Sequence, residues 1–316
     1  MYKQVGICFS KDKAIKDPLS HVGRKLPVYI ELLDRINAEG WQAYVLTRKT
    51  YLGDGKFKGA WRFSEGRLKW IKDILNLNLA YDKTGGLVFP PPNDSLRVVN
   101  NRSFNEFCCD KWQAYKVYGR YMPATFWVGE KINLDRVLSK VNFRNVVLKP
   151  YNGLKGYGIF IGKIEDVRLF NFSTKYPKYI LQEFVETRKG IPEIVSGRHD
   201  LRVVVINKKI VWSHVRIPPM DSLKANVAGG GSLKEVDPEI LPDKVVNIVN
   251  LIARDFYGKY DNPVFSVDFG INEKGDPKIF EFNDQIGFPL PDMKNKDKFL
   301  SELILNFKSK LLSPWR

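Results

Sequence analysis

The spacing of apolar and polar residues switches repeatedly between a strand period and a helix period along this chain. Residues 3–9 read as a buried strand. Residues 27–39 read as a helix, with Val28, Leu32, Leu33 and Ile36 on one face and Gly40 as its stop. Residues 41–47 read as a second strand, and this strand–helix–strand order predicts an open α/β unit. Residues 71–79 and 86–89 extend the unit, until Pro90-Pro91-Pro92-Asn93-Asp94 interrupts it.

Beyond that break the pattern predicts a helix over 103–119, a strand at 126–128, and a helix over 134–141 with Asn133 as its cap. Strands at 146–149 and 158–162 flank a glycine loop. This β-loop-β order differs from a Walker loop, whose glycines lead into a helix. Neither Gly-Lys-Ser/Thr nor a dinucleotide-type glycine fingerprint occurs. A strand follows at 179–185, then a hairpin of 201–206 and 210–216 turning at Asn207-Lys208-Lys209. A helix over 242–257, stopped by Gly258, precedes a second hairpin of 264–271 and 278–283. An amphipathic helix over 297–312 comes last.

Composition narrows the class. With 316 residues, 44% of them apolar, the chain can bury cores for about two domains. No apolar run is long enough to span a membrane, and the first residues lack the apolar stretch of a signal peptide. Cys8, Cys108 and Cys109 are too few for a disulfide framework, and the adjacent pair does not fit a zinc spacing. A reduced, cytoplasmic protein is expected. Three histidines argue against a multi-histidine metal site. The net charge of +16, from 51 basic and 35 acidic residues, favours anionic partners: a nucleotide, a nucleic acid or an acidic peptide. A solvated lysine-rich surface would carry the same charge.

The candidate chemistry lies between Val146 and Asn283. Asp268 shares a strand face with Ser266 and Gly270. Glu281 and Asn283 share one with Ile279, while Phe280 and Phe282 point the other way. Pairing the two strands would bring two carboxylates and an amide oxygen together, a donor set suited to Mg²⁺ bridged by phosphates. The same residues would also make the polar outer face of an ordinary hairpin. Lys149 closes an apolar strand beside Gly153, Gly156 and Gly158, where backbone N–H groups and Lys155 could meet phosphates. A solvent-facing strand-end lysine and a plain hairpin loop are the alternatives. Arg202 and Arg216, on neighbouring strands, suit phosphate or carboxylate, with surface salt bridging as the alternative. Asn226 precedes Gly229-Gly230-Gly231, which reads either as close backbone approach to a ligand or as a flexible loop.

Taken in order, Lys111, Lys149-Pro with its glycine loop, Gln182-Glu183-Phe184-Val185, Asp200-x-Arg202, Arg216, Lys224-x-Asn226, Asp268 and Glu281-x-Asn283 resemble the ATP-grasp superfamily. The stretch from Asp200 to Gly231 looks most like the branch of ribosomal-protein glutamate ligase and glutathione synthetase. The resemblance covers about residues 100–290. It implies an α/β fold with the nucleotide between two antiparallel sheets: a Rossmann-like domain over 1–98, a nucleotide-side subdomain over 99–186 and a metal- and phosphate-bearing subdomain over 187–316.

It implies roles residue by residue. Lys111 and Lys149 would contact the nucleotide phosphates. The loop Asn152, Gly153, Lys155, Gly156, Tyr157 and Gly158 would close over them. Glu183, Phe184 and Val185 would form the adenine hinge, and Glu186 or Glu193 would hold the ribose. Arg202, Arg216, Lys224 and Asn226 would steady the transferring phosphoryl group. Asp268, Glu281 and Asn283 would hold two Mg²⁺, or Mn²⁺ in their place, and Asp268 and Glu281 would both be replaceable without cost to the fold. The stretch Asp284-Gln-Ile-Gly-Phe-Pro departs from the family's small-residue ending on the acceptor side. The implied reaction is ATP-dependent ligation of a carboxylate to an amine through an acyl phosphate. A kinase acting on a hydroxyl, a basic nucleic-acid-binding relative and a coat-associated relative are the alternatives. A small-molecule or acidic peptide substrate is favoured over nucleic acid, with His21, Arg24 and Lys25 on its binding surface. Oligomeric state is left open.

Overall fold

Alternation of apolar residues with β-branched neighbours at the amino terminus produces β1 (Gln4–Phe9), whose side chains are almost all buried. After it come α1 (Leu26–Ala38), β2 (Gln42–Thr47) and β3 (Tyr51–Gly53). A long hairpin of β4 (Lys56–Ser64) and β5 (Arg67–Asn76) leads to β6 (Leu79–Lys83) and β7 (Arg97–Val99). These bounds come from a computed structural model, which describes residues 2–10, 17–85, 96–153, 156–219 and 231–312. The expected strand at 86–89 and the break at 90–94 lie outside the described residues.

β1 pairs in parallel with β2 on one side and β6 on the other, and β7 continues the parallel set. The sheet order is β3-β4-β2-β1-β6-β7, with β5 beside β4. The expected strand over 71–79 is in fact two strands. The chain turns at Leu77 and Asn78, where Leu77 N–H donates to Gly55 and the Asn78 side chain accepts from Gln4 N–H at 2.7 Å. The hairpin escaped the sequence reading because its lysines and arginines dilute the alternation.

The helix expected over 103–119 is two helices, α2 (Arg102–Cys109) and α3 (Lys111–Tyr118). Asp110 breaks it by capping the second: its side chain accepts from Gln113 N–H at 2.8 Å. Lys111 therefore stands in the first turn of α3, and its own N–H is held by Tyr151.

Two antiparallel sheets follow, as expected. The first combines β8 (Thr125–Gly129), β9 (Asn145–Pro150), β10 (Phe160–Lys163) and β11 (Tyr179–Glu183) in the order β10-β9-β11-β8, with α4 (Leu134–Leu138) against it. The second is built from β12 (Asp200–Ile206), β13 (Lys209–Ile217), β14 (Ser232–Val236), β15 (Phe265–Ile271) and β16 (Pro277–Asn283), ordered β14-β13-β12-β15-β16. Asn207 and Lys208 both take positive φ in the tight β12–β13 turn. Such a turn tolerates asparagine well.

One face of this second sheet packs on α2 and on α5 (Asp243–Lys259), through Phe104, Phe107, Phe256, Phe265 and Phe282. The other face contributes Val204, Ile206 and Trp212 to a core shared with β1, β6 and α6 (Lys296–Leu312). The last helix therefore fastens the amino-terminal sheet to the five-stranded one. Among the described residues no helix is long and apolar enough to cross a membrane.

Asn100 is the polar latch at that junction. Its buried side chain donates to Val264 O at 2.6 Å and Asp284 O at 2.9 Å, and accepts from Val264 N–H at 2.7 Å. Asn100→Ala strands these backbone groups inside the protein and should lower stability by about 2–4 kcal/mol. Urea denaturation would measure it. A loss below about 0.5 kcal/mol, typical of surface changes, would mean the latch carries no weight.

Candidate active site

The site is built on the open face of the five-stranded sheet. On β15, Phe265, Val267 and Phe269 enter the core, so Asp268 projects from the opposite face. On β12, Leu201, Val203 and Val205 do the same and leave Arg202 beside Asp268, its register partner. On β13, Val215 is in the core and Arg216 is outside it, opposite Asp200.

Asp268 has no solvent exposure. Arg202 grips it in a bidentate pair, Nε to Oδ1 at 2.7 Å and Nη2 to Oδ2 at 2.6 Å. Arg216 Nη2 donates to the same Oδ2 at 2.6 Å and also to Asp200 Oδ2. Burial alone would raise the Asp268 carboxyl, but the two guanidinium groups outweigh it and hold the group well below the usual range. Asp200 moves the other way: burial and the charge of Asp268 push it up against the pull of Arg216. The surface-salt-bridge alternative for Arg202 and Arg216 therefore fails, since both are spent on a buried carboxylate.

A bulge between Asp268 and Phe269 corrects the expected face of β16. Ile279 and Phe282 enter the core, while Phe280 and Glu281 both turn outward. The tip of the Phe280 ring reaches over Gly270, where a Cβ would fall 2.2 Å from it. The extra residue in the bulge resets the alternation. It sets Glu281 opposite Asp268 and brings Asn283 to the same face, with Asn283 Nδ2 at 3.2 Å from Asp268 Oδ2.

The four-stranded sheet faces this cluster. Lys149 is buried rather than solvent-facing. Its Nζ donates to Gln182 Oε1 at 2.9 Å and crosses to Phe280 O at 3.3 Å, while Gln182 is held by Thr125 at 2.8 Å. Burial, then the charge of Lys111, lowers the Lys149 ammonium to about 8. Lys111 Nζ donates to Gly153 O at 2.9 Å and lies 3.9 Å from Glu281 Oε2. Lys111, Lys149 and Glu281 thus converge from three elements.

The glycine loop joins them through Gly153. Gly156 and Gly158 adopt positive φ, and a side chain on Gly158 would strike the Tyr179 hydroxyl at 2.8 Å. Asn152 and Tyr157 are exposed. Lys155, Lys224 and Asn226 lie outside the described residues.

The hinge segment leaves β11 with Glu183 N–H on Ala124 O and Phe184 N–H on Asn145 O, and Val185 follows half-buried. Glu186 is occupied by Arg198, at 3.2 and 3.3 Å. Glu193 is exposed, at φ 62°, on the rim of a cavity of about 630 Å³ walled by Lys189, Ile194, Ile217 and Lys234. Ile191 and Ile194 anchor that loop in the core beneath the face opposite Arg202. The structure does not bring Glu193 into the Arg202–Asp268 cluster.

Sequence reasoning gave no part to His214. It lies opposite Arg202, stacks on Trp212 at 4.3 Å, and is kept neutral by burial and by the nearby arginines. Its place on the open face follows from the strand period of β13, but nothing local marks it. Lys83 was also unread, because its neighbours 284–287 are distant in sequence.

Among the described residues no three His, Cys, Asp or Glu side chains cluster to hold a metal. Glu281 and the Asn283 amide remain as donors on this face, whereas both oxygens of Asp268 are taken by Arg202 and Arg216, and Asp268 could join them only by giving up one of those contacts. A carboxylate and an amide oxygen fit a hard divalent cation that takes the rest of its shell from phosphates, as opposed to a closed protein cage.

Residues 112–257 match the family model of the prokaryotic glutathione synthetase ATP-grasp domain. The chain is 35% identical over 184 residues to the glutathione synthetase of Buchnera aphidicola subsp. Schizaphis graminum, a match covering 54% of this chain and 48% of that protein. It therefore spans about half the length of that relative. It is 24% identical over 235 residues to a probable alpha-L-glutamate ligase of Marinobacter nauticus, covering 72% and 69% of the two chains. The solved D-alanyl-alanine synthetase A from Vibrio cholerae superposes with a TM-score of 0.66 at 12% identity, over 99% of this chain and 100% of the other. That likeness shows the fold.

The two acidic candidates differ in what the fold asks of them. Asp268→Asn leaves two buried guanidinium groups without their shared counter-ion and should cost about 3–5 kcal/mol of stability. This replaces the expectation of a fold-neutral change. Glu281, a third exposed and only loosely paired with Lys111, should give a Glu281→Gln variant within about 0.5 kcal/mol of wild type. Thermal denaturation of both variants checks the contrast, and equal losses would contradict it.

Proposed function

We propose that this chain is an ATP-grasp enzyme, an ATP-dependent ligase joining a carboxylate to an amine. The observation that carries the reading is the buried Asp268 between Arg202 and Arg216, faced by Lys149 from the opposing sheet and by Lys111 from the first turn of α3. Fixed cations on both sides of a gap suit a polyphosphate and an anionic transition state.

In the proposed reaction a carboxylate oxygen attacks the γ-phosphorus of ATP and ADP leaves, giving an acyl phosphate. An amine nitrogen then attacks the acyl carbon, and inorganic phosphate leaves with the new C–N bond in place. Lys111 and Lys149 bind the nucleotide phosphates. Arg202 and Arg216 are preorganised by Asp268 and Asp200, so no side chain must be reoriented as charge develops on the transferring group. The hinge of Glu183, Phe184 and Val185 offers backbone groups to adenine. Glu186 and Glu193 remain the ribose candidates. Asp268, Glu281 and Asn283 would hold Mg²⁺, with two ions as the finer reading, and the metal would supply charge neutralisation at the phosphates. Lys224 and Asn226 keep their proposed part beside the acyl phosphate. A small-molecule or acidic peptide substrate, and a cytoplasmic setting, complete the reading.

The direct test is phosphate release from Mg-ATP over a panel of acids and amines. Release should require one of each and yield an amide. A stable phosphoester product, or release that ignores the amine, would overturn the ligase reading.

Lys149 supplies a second test. Lys149→Met should weaken Mg-ADP binding by about 10–100-fold in titration calorimetry, the worth of a charge-assisted hydrogen bond. Burial lowers the free ammonium to about 8, and phosphate favours its charged form. Wild-type affinity should therefore be highest below pH 8 and decline as pH rises through that value, a decline that the Met variant lacks. Parallel pH profiles would remove Lys149 from the phosphate site.

A further inference from the structure

Between the hinge and β12 the chain closes a loop that stands apart from the Arg202–Asp268 cluster. Its neck is Thr187 and His199, both buried. His199 N–H donates to Thr187 Oγ1 at 3.2 Å, and Ile271 N–H, at the end of β15, donates to His199 Nε2 at 3.2 Å. Within the loop Gly190 N–H donates to Thr187 O at 3.0 Å and Ile191 N–H to Val195 O at 2.8 Å. Glycine is required at 190: φ is 81°, and a Cβ would fall 2.2 Å from Val195 O. Ile191 and Ile194 are buried in the core. A loop tied at its neck, across its middle and to the core holds its shape without a ligand.

This loop walls one side of the cavity of about 630 Å³. Ile217, Lys234, Ile271 and Lys274 are on the other sides, contributed by the ends of β13 and β15, by β14 and by the β15–β16 turn. Ile217 and Ile271 pack toward the aromatic core, so the cavity lies behind the sheet, on the side away from Arg216 and Asp268. Three lysines line it, one from each of three elements: Lys189 from the loop, Lys234 from β14 and Lys274 from the turn. Among the described residues none of the three forms an ion pair. Two of them reach from wall to wall. Lys189 Nζ donates to Glu273 O in the turn at 3.3 Å, and Lys234 Nζ donates to Ile194 O in the loop at 2.7 Å. An ammonium has three donors, so both keep some to spare. Asp276, on which Lys274 acts, is held by Lys244 at 2.7 Å. Glu193 is the only acid on the wall, which therefore keeps a net positive charge.

We propose that this cavity is a second anion site, separate from the Arg202–Asp268 cluster, and that it takes a compact polyanion. A lysine is a point charge with no planar fork to grip a single carboxylate. Three of them on three walls match a ligand whose negative groups are themselves separate, as in a tricarboxylate or a chain of phosphates. The size agrees. Pockets for small molecules run to about 300–1,000 Å³, and a single phosphate would leave most of this one filled with water. The fixed walls lower the ordering cost of binding. The inference does not depend on the ligase reading.

The experiment is titration calorimetry on the full chain with metal-free ADP held in excess, so that the polyphosphate-binding cations are occupied. The probes are tricarballylate and inorganic triphosphate, which separate a carboxylate source from a phosphate source, with acetate as the single-charge comparison. Wild type should bind one of the two polyanions at one-to-one stoichiometry and about tenfold or more tightly than acetate. Lys189→Met and Lys274→Met should each weaken it by about three- to tenfold. Lys274 is the decisive position, because its side chain bonds to no loop group among the described residues and its loss leaves the wall intact. Glu193→Gln should tighten binding by about two- to fivefold, since it removes the one repelling charge. Lys72→Met, on the exposed face of β5, should change nothing. No saturable binding of either polyanion overturns the site. So does binding that Lys189→Met and Lys274→Met leave unchanged, or that Lys72→Met weakens equally, which would reduce it to the general field of a basic protein.

Discussion

A carboxylate with no access to water sits at the centre of the five-stranded sheet, and the surrounding structure is arranged to make that tolerable. Asp268 is stable there because two guanidinium groups reach it, one from the adjacent strand β12 and one from β13 a strand further on. A buried ion pair gains little over an apolar core, yet removing one member is costly. The arrangement therefore fixes strand order and register: a slip of one residue on β12 would send Arg202 into the aromatic core around Phe256 and leave Asp268 alone. What the protein gains is a pair of arginines held in fixed positions on the sheet.

The charges around this centre form a graded set. Asp268 and Asp200 balance the two arginines inside the sheet. Lys149 approaches from the four-stranded sheet and Lys111 from the first turn of α3, with the partly exposed Glu281 3.9 Å from Lys111. Lys25 and Lys83 lie on the amino-terminal side, where Asp284 and Asp82 are the acids that act on Lys83. Part of the chain's net charge of +16 is focused on the site rather than spread as a solvated surface.

Three sheets must meet for this to happen, and apolar packing brings them together. Phe299, Leu303 and Phe307 of the last helix join Val5, Ile7 and Tyr81 to Trp212 in a single core. Asn100 stitches the same junction through backbone groups of Val264 and Asp284. Lys149 completes the linkage by bonding across to Phe280 from the opposite sheet. The contacts that hold the molecule together and those that shape the site are, at Lys149 and Asp284, the same contacts.

Much of this was legible in the residues. Strand period placed Asp268 on one face of its strand, and Glu-x-Asn spacing placed Glu281 and Asn283 on one face of the next, because alternation is a local property of the extended chain. The lysine closing an apolar strand and the glycine loop after it were equally local. The bulge was not legible: whether Phe280 points in or out depends on how β16 registers against β15, and Gly270 supplies the space that lets it turn. Nor did the sequence mark Asp110 as a helix break inside an otherwise helical run, since a capping side chain competes with helix continuation only once Tyr151 is there to hold Lys111. The partners of the two arginines needed the tertiary structure most of all. Charge pairing acts between side chains scores of residues apart, and burial decides whether such a pair is a surface ornament or the centre of a site.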